Sequence, residues 1–196
     1  RGGFKADPSD PELPGPQDPS QWPTVLARLT NGPNGRVLYL QNVTNAVVEG
    51  IIIRDGKLNN GAGVYLTGCT NLVFSSCHIV ANRAEGGNGG GLYVISSEMT
   101  LTNCVVVSNR ADRYNDGTQA YGAGAHIAAN GSLIVQSCLV TGNVAHASRT
   151  QPSYGGAFYL AHSTSRLRLE ESVVTENFAT TEWAGGIGRG GAIANN

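Results

Sequence analysis

Five glycine clusters, beginning at Gly61, Gly89, Gly122, Gly155 and Gly190, return at steps of 28, 33, 33 and 35 residues. Spacings of this size mark a solenoid, in which each repeat is one unit stacked on the next. The copy from Gly89 to Asn109, GGGLYVISSEMTLTNCVVVSN, shows the full order: glycines, three short apolar runs, then an asparagine. The runs alternate with period two and none has helical spacing, so they predict strands. The first runs are Val64-Tyr65-Leu66, Leu92-Tyr93-Val94, Ala125-His126-Ile127 and Phe158-Tyr159-Leu160. The second are Leu72-Val73-Phe74, Met99-Thr100-Leu101, Leu133-Ile134-Val135 and Leu167-Arg168-Leu169. The third are Cys77-His78-Ile79, Cys104-Val105-Val106, Cys138-Leu139-Val140 and Ser172-Val173-Val174.

Three strands per coil, each stacked in register on the next coil, predict an all-β parallel β-helix solenoid. An earlier coil fits the same frame without the glycines, through Leu38-Tyr39-Leu40, Ala46-Val47-Val48 and Ile51-Ile52-Ile53. Residues 36–196 then make about five full coils and the start of a sixth, roughly 25 Å tall at the strand spacing of about 4.8 Å. Leu66, Val94, Ile127 and Leu160 should stack inside, as should Ile79, Val106, Val140 and Val174. Asn82, Asn109, Asn143 and Asn177 end the third strand of successive coils. An asparagine at such a corner can bond backbone groups above and below that a tight turn leaves unpaired, which predicts a structural ladder.

Residues 1–35 read differently, because they hold seven of the eight prolines. Proline has no ladder donor, so this stretch is expected to be an irregular cap or lead-in over the first coil, pinned by Trp22 and Val25-Leu26. Lys plus Arg is 13 and Asp plus Glu is 14, a net charge of −1, so no basic stripe exists to hold nucleic acid. No apolar run approaches the ~20 residues that span a bilayer as a helix. The chain opens at Arg1 without an apolar leader and stops at Asn196 partway into a new repeat, as a mature form or a fragment would.

The repeats resemble the polymorphic outer-membrane-protein type, whose paired motifs are GGA(I/L/V) and FxxN. Gly190-Gly191-Ala192-Ile193 matches the first in full, and Gly155-Gly156-Ala157-Phe158 and Gly89-Gly90-Gly91-Leu92 match it more loosely. Ile79 to Asn82, Val106 to Asn109, Val140 to Asn143 and Val174 to Asn177 match the second, with Ile or Val where that family has Phe. The opening Gly2-Gly3-Phe4 and Pro23-Thr24-Val25-Leu26 are similar to the lead-in of large bacterial surface proteins with such repeats. The resemblance implies a right-handed β-helix, secreted or surface-displayed, with an adhesive or structural role. The wider right-handed β-helix group also includes polysaccharide lyases and hydrolases.

A lyase or hydrolase of this shape needs clustered carboxylates, and matching positions of neighbouring coils are where they would meet. Glu49, Asp55, Glu98, Glu170 and Glu176 do not line up in that way. Asp112 and Asp116 share one stretch with Arg113, which reads as a solvated loop rather than a weak ion site. His78, His126, His146 and His162 have no Ser or Cys context for nucleophilic catalysis, so surface or ladder places are expected for them. Cys77, Cys104 and Cys138 fall on one inward ladder that Ser172 ends, which suits small buried thiols, and Cys69 at a corner could pair with Cys77. Their spacing fits no zinc site. No catalytic residue, metal or cofactor is assigned.

Three surface features remain. Tyr39, Tyr65, Tyr93, His126 and Tyr159 form one outward line of rings, which could meet a sugar or a partner protein, or simply stack on one another. Ile52, His78, Val105, Leu139 and Val173 form a second outward line, apolar enough to suggest a covered face. The inserts between asparagine and glycine pair grow from Lys57–Asn60 and Arg83–Asn88 to Arg110–Tyr121, Val144–Tyr154 and Phe178–Arg189. They gather Tyr114, Tyr121, Arg149, Tyr154 and Trp183 at one edge, the first place to look for binding. Sequons at Asn42 and Asn130 sit near exposed corners and suit glycosylation in a secreted chain.

The expectation is an extracellular or cell-surface structural or adhesive protein, a filament or surface-layer subunit that meets its own copies or a neighbouring surface protein. The competing expectation is a β-helix that binds or cleaves polysaccharide.

Overall fold

The computed structural model describes residues 4–6, 14–18, 21–113, 119–148, 151–182 and 187–196. The repeats wind into a parallel β-helix whose coils have four walls, one more than the sequence names. Wall 1 stacks Leu38–Gln41, Val64–Thr67, Leu92–Ile95, Ala125–Ile127, Phe158–Leu160 and Ile193–Asn195. Wall 2 stacks Val47–Glu49, Leu72–Ser75, Glu98–Thr102, Ser132–Gln136 and Arg166–Glu170. Wall 3 runs from Thr24–Ala27 through Ile51–Arg54, His78–Val80, Val105–Val107 and Leu139–Thr141 to Val173–Thr175. Wall 4 occupies what reads as the start of each insert: Lys57–Leu58, Arg83–Glu85, Arg110–Arg113, Val144–Ala147 and Phe178–Thr181.

Counting along the chain gives five full coils, with Ile193–Asn195 opening a sixth. Every wall pairs in parallel without slippage, so Leu92, Tyr93 and Val94 lie over Val64, Tyr65 and Leu66. Thr24–Ala27 pairs in parallel with Ile51–Arg54, so the proline-rich lead-in is not irregular throughout and supplies a rung. Phe4–Ala6 and Pro14–Gln17 form a separate antiparallel pair. Among the described residues no helix is long and apolar enough to cross a membrane.

Alternation along the strands fills the interior. Leu66, Phe74, Ile79, Val94, Leu101, Val106, Ile127, Val135 and Val140 are fully buried. Each such aliphatic or aromatic side chain contributes about 1.5–3 kcal/mol by leaving water. Leu160, Leu167 and Val174, in the last coil, pack on this core only partly, because less chain stacks beyond them.

The corners follow a rule. A residue in the left-handed region (φ between 45° and 66°) precedes most inward polar or thiol residues at the corners, as in Gly68-Cys69, Ser96-Ser97, Ser76-Cys77, Asn103-Cys104, Ala81-Asn82 and Ser108-Asn109. That conformation turns the chain, and the next side chain enters the coil and bonds backbone above it. At the corner after wall 3, Asn109 Nδ2 donates to the Ile79 carbonyl (2.9 Å) and to Asn143 Oδ1 (3.0 Å). Its Oδ1 accepts from the Asn82 backbone N–H at 3.0 Å. Asn82 and Asn143 repeat the pattern, Asn177 ends it, and Gly56 holds the equivalent place in the first coil.

The corner after wall 2 uses sulfur in the same way. The Cys77 N–H donates to Cys104 Sγ, the Cys104 N–H to Cys138 Sγ, and the Cys138 N–H to Ser172 Oγ. All four cysteines, Cys69 included, are buried free thiols, so no Cys69–Cys77 disulfide forms. The neighbouring Cys138 and Cys77 thiols, together with burial, push the Cys104 thiol up. The turn into wall 1 needs glycine: Gly61, Gly89, Gly122, Gly155 and Gly190 all have φ between 55° and 64°. A Cβ at Gly89 would stand 2.1 Å from the Leu92 carbonyl oxygen.

Candidate functional site

The outward ring line on wall 1 is continuous. Tyr39 and Tyr65 stack at 5.6 Å between centroids, Tyr65 and Tyr93 at 5.0 Å, and Tyr93 and His126 at 4.9 Å with only 3° between planes. Tyr159 continues the line at 5.4 Å from His126, tilted by 36°. Because the rings stack along the solenoid axis, the faces of Tyr65 and Tyr93 are spent on their neighbours. They offer edges and hydroxyls outward, not the open faces that stack on a sugar. Arg36 caps the near end, 4.5 Å from the Tyr65 centroid, while donating to the Asn60 and Gly61 carbonyls.

The two ends of this line differ. Tyr39 is 50% exposed, whereas His126 and Tyr159 are 5% and 6% exposed. The cover comes from the inserts of the later coils, which add a side sheet of Ala120–Tyr121, Ser153–Tyr154 and Gly188–Arg189. Tyr121 lies 4.4 Å from Tyr159, stacks on Tyr154 at 5.3 Å and meets His126 edge-on at 6.1 Å. Burial first, and the Arg113 charge second, lower the His126 pKa to about 3, so its imidazole is neutral. Burial, helped by Tyr121 and Tyr154, raises the Tyr159 hydroxyl to about 12.

Between wall 4 and the side sheet lies a second, small core made only of alanine: Ala111, Ala120, Ala123, Ala145 and Ala147. Arg113 pairs in register with Ala147 of this core, half-buried, and burial lowers its pKa. Asp112, expected in a solvated loop, is instead a fully buried residue of a wall-4 strand. Register across coils explains the difference. Arg83 Nε donates to Asp112 Oδ2 at 2.6 Å, and Arg110 reaches Asp112 Oδ1 from Nη2 at 3.0 Å. Lys57 and Arg83 both pair with Glu85, at 3.1 and 3.5 Å, extending the charged strip.

Other candidates stay apart. His78 and His162 are exposed, and His146 faces outward to Thr180 and Glu182. Asn42 and Asn130 are exposed in left-handed turns after wall 1. The apolar line on wall 3 is open at its later coils, with Leu139 39% and Val173 57% exposed. A shallow groove of about 280 Å³ on wall 2, lined by Asn71, Glu98, Thr100, Ser132 and Ile134 among others, brings one carboxylate and no second. Among the described residues no three His, Cys, Asp or Glu side chains gather as a metal site. Tyr114, Asp116, Arg149 and Trp183 lie outside the described residues.

Stacked parallel walls with inward corner ladders define the β-helix class. The right-handed β-helix region family matches residues 28–187, and the chain belongs to that family. No curated protein and no solved structure matches it.

The sequence alone did not single out the side sheet, whose two-residue strands leave almost no periodic signal.

Proposed function

We propose that this chain is part of a structural or adhesive β-helix displayed outside the cell or on its surface, a rigid rod that presents faces rather than turning over substrate. The observation that carries this reading is the unbroken set of corner ladders, which tie each coil to the next by hydrogen bonds from Gly56 to Asn177. Such a stack resists local opening, which suits a load-bearing or contact-presenting element. The clamping of the buried Asp112 by Arg83 and Arg110 supports it too, since that carboxylate is committed to the wall. Antibody against this chain should label intact cells that make the parent protein. Labelling only after permeabilisation, or release of polysaccharide fragments by the purified chain, contradicts the proposal.

A further inference from the structure

At the corner after wall 2, stacking brings three nucleophiles together. The parallel registers of His78 with Val105 and of Val105 with Leu139 set the preceding residues, Cys77, Cys104 and Cys138, at one position of successive coils. Strands stacked in this way lie about 4.8 Å apart, inside the Cα separation of roughly 4.4–6.8 Å that a disulfide spans. Each sulfur leans toward the cysteine one coil earlier. Cys104 Sγ accepts the Cys77 N–H at 3.4 Å, and Cys138 Sγ accepts the Cys104 N–H at 3.3 Å. The thiols also bond to one another, Cys77 with Cys104 and Cys104 with Cys138.

The run is bounded by Ile51 in the first coil and by Ser172 in the last. Cys104 therefore has a thiol on either side, whereas Cys77 and Cys138 each have one. Cys69 stands apart at the corner after wall 1, where its N–H donates to Ser97 Oγ at 3.0 Å. Contact with Cys104 draws the Cys77 and Cys138 thiols down from their ordinary value. An end thiol of the run so ionises before the middle one, which its two neighbours and burial hold protonated.

We propose that this thiol ladder is an oxidation site, at which a peroxide closes one disulfide between neighbouring coils, always through Cys104. Peroxide is a small molecule and can enter at Cys138, which is 4% exposed. An end thiolate attacks hydrogen peroxide and breaks its O–O bond. A sulfenic acid results, and the departing hydroxide takes up the proton that the thiol had lost. The Cys104 thiol then attacks the sulfenic sulfur; the S–S bond forms as the S–O bond breaks, and the hydroxyl leaves with the Cys104 proton as water. Two thiols give up two electrons and peroxide gains them. A contact between coils 27 or 34 residues apart becomes covalent, which constrains the unfolded chain and raises the midpoint of urea unfolding.

Brief treatment of the folded, reduced full chain with hydrogen peroxide, then alkylation in denaturant and peptide mapping by mass spectrometry, tests it. Two of the four thiols should be lost, and the linked peptides should join Cys104 to Cys138 or to Cys77. Cys77→Ser and Cys138→Ser should each still form one disulfide, whereas Cys104→Ser should form none. The double variant Cys77→Ser with Cys138→Ser keeps Cys104 and Cys69 and should form none either, which decides the matter should Cys104→Ser fail to fold. The urea midpoint of the oxidised chain should fall back on reduction with dithiothreitol. Retention of all four thiols, a disulfide through Cys69 or between two chains, sulfinic acid without a disulfide, a disulfide in Cys104→Ser or in the double variant, or equal urea midpoints before and after reduction overturns the proposal.

Discussion

The corner after wall 3 and the inserts that follow wall 4 both bury polar atoms. At the corner, Asn82, Asn109 and Asn143 spend their amides on backbone and on one another across the coils. Around the inserts and the part of wall 1 they cover, Asn88, Arg113, His126 and Ser148 each keep a buried side-chain atom without a partner. Both regions hold these atoms away from water, so the chemistry of desolvation is alike and only the pairing differs. The corner repeats in every coil and therefore stacks like on like. The inserts differ in length and sequence from coil to coil, so unlike residues are neighbours there. Repetition satisfies every polar group of the ladder, whereas departure from it leaves some unpaired.

Substitution at the corner should have the largest effect. Asn109→Ala strands the Asn82 N–H and the Ile79 carbonyl inside the coil, and a loss on the order of 3–5 kcal/mol is expected in urea unfolding. Asn177→Ala, at the last rung, should cost about half as much. Equal losses would mean that position in the ladder does not matter.

The charged strip comes next. Arg83→Gln with Arg110→Gln leaves Asp112 buried and unpaired, and should destabilise by about 3 kcal/mol. Arg113→Gln should leave stability unchanged or raise it, by about 1 kcal/mol at most. If the two changes proved alike in chemical denaturation, the contrast between clamped and unpaired arginines would fail.

His126 gives the third contrast. Its pKa is about 3 in the fold against 6.5 when unfolded, so below pH 6.5 the unfolded chain takes up the proton first. Stability contributed by the neutral ring is complete above pH 6.5 and is lost as pH falls toward 3, by about 1.4 kcal/mol per unit at the steepest. His126→Phe should flatten that part of the wild-type pH profile, by about 2 kcal/mol at pH 5. Parallel acid profiles for the two proteins would refute burial as the cause.

Cys104→Ser should have the smallest effect, below about 1 kcal/mol in the same urea assay, since Ser172 already fills the equivalent place with its hydroxyl on the Val135 carbonyl.

Much of this architecture was legible in the sequence, because alternation in walls 1 to 3 falls on large aliphatic residues. Wall 4 was not. Its strands are short, their outward positions are Lys57, Arg83 and Arg110, and its inward positions are Ala84, Ala111 and Ala145, which look no different from loop residues. The asparagine ladder could be foreseen from its recurrence. The Asp112 clamp could not, since Arg83 reaches it across 29 residues of chain, a distance that only the register closes. The ring line could be placed on one face, but whether it offers faces or edges depended on how the rings stack. The burial of His126 needed the side sheet, which folds Tyr121 back over it.

Native-state hydrogen exchange tests the central contrast most directly. The backbone amides of Asn82, Asn109 and Asn143 donate into the ladder, whereas that of Gly122 bridges the side sheet to the Tyr154 carbonyl. The ladder amides should exchange only through global unfolding, with a strong dependence on denaturant. The Gly122 amide should exchange faster, through a local opening that denaturant barely changes. Ladder amides that exchanged as fast as Gly122 would contradict the account.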